Sequence, residues 1–260
     1  MRTIVLLLFV SIGCTWHNLD CKVVKSQNKS ISDALPIFSA STIFTKETQE
    51  KSTPKVKLHL FQNDHENLSW GSFIRYAIEV SDKEDGDSKY GEILNNKVLL
   101  EIEFLPIQDE KAPNKNLGAT HKGPYPEGLS LMMGSTCFAC HGDKEVLAGP
   151  SFSQIAERYG KNLNNIALLG HRILTGSTGQ WGSMEMPAHP DLTAEESEKI
   201  AAFILTQGSR KNHRILTGLE GTFQVMEKPD GQTQGVYILT ASYTSNSSVK
   251  GQDRITLQIQ

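Results

Sequence analysis

The pentapeptide at residues 137–141, with the sequence CFACH, constrains this chain more than any other feature. Residues at positions i and i+3 lie on one face of a helical turn, so Cys137 and Cys140 present their thiols in the same direction. His141 follows directly. Two cysteines at this spacing followed by histidine are typical of covalent attachment of c-type haem, with the histidine as an iron ligand. The motif predicts one haem c, bound through Cys137 and Cys140.

The rarity of this motif favours haem over other cysteine chemistry. With four cysteines and eight histidines in 260 residues, the motif is expected by chance roughly 0.002 times. The alternatives are a redox-active dithiol or half of a zinc site. A zinc site requires a second pair of ligands at a compatible spacing, and His171, His189 and His213 are scattered along the chain.

The N-terminus has the pattern of a secretory signal peptide over residues 1–20. A charged start is followed by an apolar run at residues 4–10, which is too short to span a bilayer. Residues 11–14 (SIGC) resemble the lipobox of bacterial lipoproteins, so Cys14 is a candidate lipidation site. The alternative is a plain cleaved signal. We therefore expect export to the periplasm or cell envelope, with a lipid on Cys14 as the only contact with a membrane.

A flexible tether is predicted at residues 21–54, which are rich in Lys, Ser, Thr and Gln.

Strand patterns lie on both sides of a predicted helical stretch at residues 127–208. Alternating or continuous apolar residues predict strands at 56–60, 73–80, 98–104, 222–225, 236–243 and 255–259. Three strands on either side are few for an independent sheet. We therefore predict a mixed α+β fold: one immunoglobulin-like β-sandwich, formed by residues 55–110 and 209–260, with the helices inserted after a linker at 111–126. Two small β units flanking the helices are the alternative.

Charge patterning adds one candidate cation site and excludes one class of partner. The net charge is −3, without the basic excess of nucleic-acid-binding proteins, so nucleic acid is not an expected partner. An acidic loop between two predicted strands contains Asp82, Glu84, Asp85 and Asp87. Calcium prefers such oxygen ligands, but the spacing fits no EF-hand loop. We interpret the loop as a solvated turn, with calcium binding as the alternative.

The residue that completes the iron coordination is a methionine in one of two positions. Histidine and methionine together give haem iron a closed coordination sphere. Met184 and Met186 both precede the predicted last helix, and the residues alone do not separate them. That helix starts with a capping box, residues 193–196, and stops at Gly208.

Residues 137–207 resemble the small bacterial class I monohaem cytochromes c. The shared motifs, in order, are the haem motif, Gly149-Pro150, Arg172 with Gly176 and Gly179, Trp181-Gly182, Met186-Pro187 and a final amphipathic helix. The resemblance implies that Met186 is the distal iron ligand. It also implies that the carbonyl group of Pro150 accepts the imidazole N–H of His141, and that Arg172 and Trp181 contact the haem propionates. Solvated and core roles for Arg172 and Trp181 are the alternatives.

The flanking strands resemble a PKD-like β module. The resemblance rests on Trp70-Gly71, Arg75-Tyr76, the loop at 80–86 and the strand at 235–243. In some exported glucose/sorbosone-type quinoprotein dehydrogenases such a module precedes a cytochrome domain. This resemblance implies redox protein partners: a quinoprotein sugar dehydrogenase as the donor and an oxidase or another cytochrome as the acceptor.

Together these patterns predict an electron-transfer protein and not an enzyme, although it could serve as a subunit of a dehydrogenase system. A peroxidase-like haem enzyme is one alternative, but it needs an open distal site. The other is a binding or sensor module whose β domain recognises a carbohydrate or a partner. The aromatic residues Tyr237 and Tyr243 are the sequence feature that suggests it.

Overall fold

A computed structural model describes residues 52–61, 67–107, 124–231 and 234–259 of the chain. The predicted signal peptide, Cys14 and nearly all of the predicted tether and linker lie outside these ranges. The strands are β1 (Lys55–Phe61), β2 (Asn67–Leu68), β3 (Phe73–Asp82), β4 (Gly86–Asp87), β5 (Val98–Pro106), β6 (His213–Thr217), β7 (Glu220–Gln224), β8 (Gly235–Thr244) and β9 (Lys250–Ile259). The helices are α1 (Glu127–Gly134), α2 (Cys137–Cys140), α3 (Phe152–Tyr159), α4 (Leu163–Thr175) and α5 (Ala194–Gly208).

Strands from before and after the helices pair in the same two sheets. In the first sheet β3 lies between β1 on one side and β4 and β7 on the other. The second sheet has the order β2-β9-β8-β5-β6, in which only the short β2–β9 pairing is parallel among the described strands. All six predicted strands are present, and the mixed α+β class is confirmed. The stretch at 213–217, for which no strand was predicted, forms β6 because it pairs with β5.

The two sheets pack face to face around one hydrophobic cluster. Alternate residues of β3, such as Ile74, Tyr76 and Ile78, meet the inward residues of β5 and β8, such as Leu100 and Leu239. This alternation arises because successive side chains of a strand point to opposite faces. The second sheet therefore has one face in the core between the sheets.

The other face of the second sheet meets the helices. Leu99 on β5 and Ile215 on β6 are buried in a second hydrophobic cluster, together with Leu129 of α1, Phe152 of α3 and Ile200 of α5. The second sheet is consequently the middle layer between the first sheet and the helices. The described residues belong to one compact unit, Gln49–Gln260.

Helix α5 is the central helix of the helical layer. Its predicted capping box is confirmed: the Thr193 hydroxyl accepts the Glu196 N–H, and the Glu196 carboxylate accepts the Thr193 N–H. Helix α1 crosses it closely at Gly128, where any Cβ would overlap the backbone of Lys199.

Among the described residues, no helix is both long and apolar enough to cross a membrane.

Candidate haem site

The haem motif forms a single helical turn followed by a tight loop. Cys137 and Cys140 are the first and last residues of α2, and the backbone N–H of His141 donates to the carbonyl oxygen of Cys137 at 3.0 Å. The loop then folds back, because the N–H of Gly149 donates to the carbonyl oxygen of Cys140 at 2.8 Å. This turn brings the two thiols and the imidazole together, as the motif spacing predicts.

The orientation of His141 is set by one hydrogen bond. Its Nδ1–H donates to the carbonyl oxygen of Pro150, at a distance of 2.7 Å. The remaining ring nitrogen, Nε2, therefore carries the free lone pair that a metal requires. Burial lowers the pKa of His141, while the hydrogen bond to Pro150 opposes that shift. The neutral imidazole, which is the form that binds metal, is favoured.

Gly149 gives the imidazole the space it occupies. A Cβ atom at this position would lie 2.5 Å from Cε1 and 3.0 Å from Nε2 of His141. Real Cβ atoms do not approach other heavy atoms so closely, so only glycine fits here without moving the ring. Gly149 thus leaves room for the imidazole of His141, and Pro150 accepts its hydrogen bond.

One cavity of about 320 Å³ adjoins the motif. It has the size and predominantly apolar lining typical of cofactor pockets. Aliphatic and aromatic side chains from α3, α4 and α5 form its walls, including Phe152, Ile155, Leu169, Ile173 and Ile200. All seven residues predicted for the haem site also line it: Cys137, Cys140, His141, Pro150, Arg172, Trp181 and Met186. A large flat apolar group with two thiol-reactive substituents and a metal centre fits this donor set.

Met184 and Met186 both line the cavity, but their surroundings differ. Met186 packs against the hydrophobic cluster of the helices. Its backbone is fixed by an isolated bridge to Ser177, with N–H to carbonyl distances of 3.0 and 2.9 Å. Met184 is 64% exposed. A ligand held in place before the metal binds loses less entropy, so this geometry favours Met186 over Met184.

Arg172 and Trp181 lie in one cluster at the cavity. The guanidinium of Arg172 donates to the hydroxyl of Tyr159 at 2.6 Å and to the side-chain oxygen of Gln180 at 3.2 Å. Trp181, 38% exposed, contacts the ring of Tyr159 edge-on, and the guanidinium of Arg158 lies 4.6 Å from its centroid. The cluster supplies cationic and N–H donor groups of the kind that carboxylates bind.

Asp143 is a buried residue next to the haem motif that the sequence did not reveal. Its side chain is only 1% exposed, two residues after His141. Burial raises its pKa to about 6, and Lys144, the backbone N–H of Ile215, Gln207 and Arg214 act in the opposite direction. An aspartate in a loop is usually solvated. Its burial depends on β6, which the sequence pattern did not predict.

Two other predicted features have no role at the cavity. In the acidic loop, Asp82 accepts the N–H groups of Glu84 and Asp85, and Asp85 accepts the hydroxyl of Tyr243 and the N–H of Asn246. The described part of the chain contains no group of three or more His, Cys, Asp or Glu side chains arranged to hold a metal ion. Tyr237 and Tyr243 are buried in the core between the sheets and are not exposed binding groups.

Known proteins are similar to the part of the chain that contains the haem motif. The family model of cytochrome c matches residues 126–208. Cytochrome c-551 of Pseudomonas denitrificans is 35% identical over 79 residues, which are 30% of this chain and 95% of that protein. Cytochrome c-552 of Hydrogenobacter thermophilus is 33% identical over 70 residues, which are 27% of this chain and 70% of that protein.

One solved structure is also similar to part of this chain. The crystal structure of wild-type Nitrosomonas europaea cytochrome c552 is 29% identical, with 30% of this chain and 96% of that chain covered and a TM-score of 0.29. The match to the family model covers the helical part of the chain and none of the strands. This chain belongs to the cytochrome c family, with residues 126–208 as its cytochrome domain and one haem c attached covalently through Cys137 and Cys140.

Proposed function

We propose that this chain is an exported carrier of single electrons whose iron is held between His141 and Met186. The observation that carries the proposal is the placement of both residues on one largely apolar cavity beside the two cysteines. When bound, haem c supplies the one-electron chemistry of its iron. The relatives are c-551 and c-552 cytochromes, which supports a monohaem electron carrier.

The protein residues have separate roles in this proposal. The carbonyl group of Pro150 orients the imidazole of His141 through the 2.7 Å hydrogen bond and increases its basicity as a ligand. The backbone bridge between Ser177 and Met186 fixes the backbone of Met186 at the cavity, and its side chain packs against the hydrophobic cluster of the helices. With both residues bound to the iron, no coordination position would be left for O₂, peroxide or a substrate. The site is therefore suited to electron transfer and not to catalysis.

The guanidinium of Arg172 and the indole N–H of Trp181 would bind the haem propionates. Both side chains line the cavity, and Tyr159 and Gln180 hold the guanidinium in place. Arginine is suited to this role because its planar donors match a carboxylate in two parallel hydrogen bonds.

The setting of the carrier is also part of the proposal. The apolar run at residues 4–10 and the lipobox-like SIGC motif support export to the periplasm or cell envelope, with a lipid on Cys14 as the anchor. The two packed sheets support a PKD-like or immunoglobulin-like sandwich as the second structural part. By its resemblance, the donor is a quinoprotein sugar dehydrogenase and the acceptor an oxidase or another cytochrome. Co-purification from native membranes with haem-stained gels tests these partners.

The distal ligand is tested by comparing Met186→Ala with the matched control Met184→Ala. We expect Met186→Ala to lose the methionine–iron charge-transfer absorption of the oxidised protein and to bind carbon monoxide when reduced. Met184→Ala should keep the wild-type spectrum and, like the wild type, should not bind carbon monoxide. A wild-type spectrum in Met186→Ala, or a changed one in Met184→Ala, would rule out Met186 as the ligand.

The same variants separate a carrier from a haem peroxidase. The wild-type protein should show no sustained peroxide turnover with a small-molecule donor, because His141 and Met186 would both bind the iron. Met186→Ala should gain such turnover. Rapid turnover by the wild type would favour the enzyme instead. The binding-module alternative has lost its supporting feature, since Tyr237 and Tyr243 are buried.

A further inference from the structure

The loop that follows His141 lies along the free edge of the second sheet. Strand β6 is the last strand of that sheet and pairs only with β5 among the described strands. Three consecutive loop residues contact β6 or the segment that leads into it. The carboxylate of Asp143 accepts the backbone N–H of Ile215 at 3.1 Å. Lys144 donates to the carbonyl oxygen of Arg210 at 2.7 Å, and Glu145 forms an ion pair with Arg214.

Asp143 is the buried residue of these three. Both of its carboxylate oxygens lie 3.3 Å from the side-chain nitrogen of Gln207 on α5, in addition to the N–H of Ile215. Its backbone carbonyl oxygen accepts the N–H and the hydroxyl of Ser153, both at 3.1 Å. A buried carboxylate is costly without hydrogen-bond donors, so the loop can adopt this position only when α5 and β6 supply them.

The backbone between His141 and Asp143 is short and tightly packed. Gly142 is the single residue between them, and its carbonyl oxygen accepts the N–H of Phe152 at 3.0 Å. A Cβ at Gly142 would lie 2.5 Å from the carbonyl oxygen of Glu145, which shows how tightly the loop turns here. Asp143 and His141 are therefore held in one tightly constrained turn.

We propose that Asp143 is a positioning residue for His141 and couples the haem site to strand β6. Through this carboxylate, the edge of the β-sandwich helps to set the angle at which the imidazole meets the iron. The reduction potential of the haem then depends on the sandwich as well as on the cytochrome domain. This inference deepens the proposed function, because it rests on His141 as an iron ligand.

A second contact between the same parts is independent of Asp143. The side chain of Ile215 is buried in the hydrophobic cluster of the helices, next in sequence to Arg214, which also donates to the carbonyl oxygen of Gln224 on the first sheet. Strand β6 is thus fixed to both sheets and to the helices. It provides a rigid support against which a carboxylate can hold a loop.

The test uses the full haem-loaded chain and three variants. Asp143→Asn replaces one carboxylate oxygen by an amide NH₂ group in a side chain of nearly the same shape, and it removes the negative charge. Gln207→Leu removes the amide donor without a change in charge. Glu157→Gln removes a charge from an exposed position on α3, outside the contacts between the loop and β6, and is the matched control for charge alone. The two readouts are the reduction potential, measured with small-molecule mediators, and hydrogen exchange at the N–H of Ile215.

We expect Asp143→Asn to speed exchange at Ile215 roughly tenfold, as loss of one buried hydrogen bond implies. It should also shift the potential by more than Glu157→Gln does. Gln207→Leu should shift the potential although no charge has changed. The double variant Asp143→Asn/Gln207→Glu exchanges donor and acceptor, so both readouts should return toward the wild-type values.

Two outcomes would overturn the proposal. One is an unchanged potential in both Asp143→Asn and Gln207→Leu while exchange at Ile215 accelerates, since Asp143 would then serve the fold alone. The other is a shift in Asp143→Asn equal to that in Glu157→Gln together with no shift in Gln207→Leu, which is a pure charge effect. No protein partner takes part in these measurements, so an error in the proposed donor or acceptor would not affect them.

Discussion

Gly149 lies so close to His141 that a Cβ atom at residue 149 would come within 2.5 Å of the imidazole Cε1. We therefore expect Gly149→Ala to push the ring away from its hydrogen bond to Pro150. The cost should be about 1–3 kcal/mol in the free energy of unfolding, as for other overpacked sites. The axial-ligand absorption of the haem should change as well. Urea denaturation and the visible spectrum of the haem-loaded protein measure both effects.

The matched control for this change is Gly134→Ala. Gly134 is the last residue of α1, and nothing lies within 4 Å of the position of its Cβ. This variant should be neutral or slightly stabilising, because alanine has the higher helix propensity. A normal haem spectrum in Gly149→Ala would contradict the predicted clash.

Thr193 caps α5, which carries part of the cavity wall. Thr193→Ala removes the hydroxyl that accepts the Glu196 N–H at 3.2 Å. We expect a loss of about 1 kcal/mol in the free energy of unfolding, whereas Thr193→Ser should keep nearly all of it. Thermal unfolding followed by circular dichroism measures the difference, and equal stability of the alanine and serine variants would show that the cap contributes nothing.

Ionisation of Tyr76 is expected to lower the free energy of unfolding at alkaline pH. Burial raises its pKa to about 12, above the ordinary value of 10.0. The unfolded chain therefore loses the phenol proton first, so the stabilising contribution is complete below pH 10.0 and falls as the pH rises toward 12. The expected loss is about 3 kcal/mol, at ~1.4 kcal/mol for each unit of pKa.

Tyr76→Phe should reduce the decline in unfolding free energy across this pH range. Tyr90→Phe changes a ring that is 73% exposed, and it should unfold like the wild type at every pH. Urea denaturation at several pH values between 9 and 12 provides the measurement. An unchanged decline in Tyr76→Phe would assign the pH dependence to other groups.

Leu99 joins the second sheet to the helices. It is fully buried in the hydrophobic cluster of the helices although it belongs to β5. Leu99→Ala should cost about 2–5 kcal/mol, the usual range for a buried leucine. Leu94→Ala, at a position that is 60% exposed, is the control.

The haem absorbance and the far-ultraviolet signal should shift together in Leu99→Ala, because the helices and the sheets share this side chain. Separate transitions for the two signals would mean that the cytochrome domain and the sheets unfold independently.

Local sequence determined much of the candidate site. The spacing of Cys137 and Cys140 requires one helical turn, and the Gly149-Pro150 pair provides space and an acceptor for the imidazole. The capping box at Thr193 is likewise a signal within one turn. Such features depend on neighbours in the chain, so they can be read without the fold.

Asp143 could not be identified in this way. Its burial depends on donors from Gln207 and Ile215, which lie 64 and 72 residues away in the chain. The choice of Met186 over Met184 rests on resemblance and stays a prediction, to which the structure adds that Met186 packs against the helical cluster while Met184 is exposed.

The hexapeptide HRILTG separates the effect of local sequence from that of tertiary structure, because the chain contains it twice. The copy at residues 171–176 ends α4, and the copy at 213–218 forms β6. Ile173 and Ile215 occupy the same position in the two copies, and both are buried in the same hydrophobic cluster. The apolar character of isoleucine, which is common to both copies, favours burial in either setting. The tertiary structure decided helix or strand, since β5 offers hydrogen bonds to the second copy that outweigh a weak local preference.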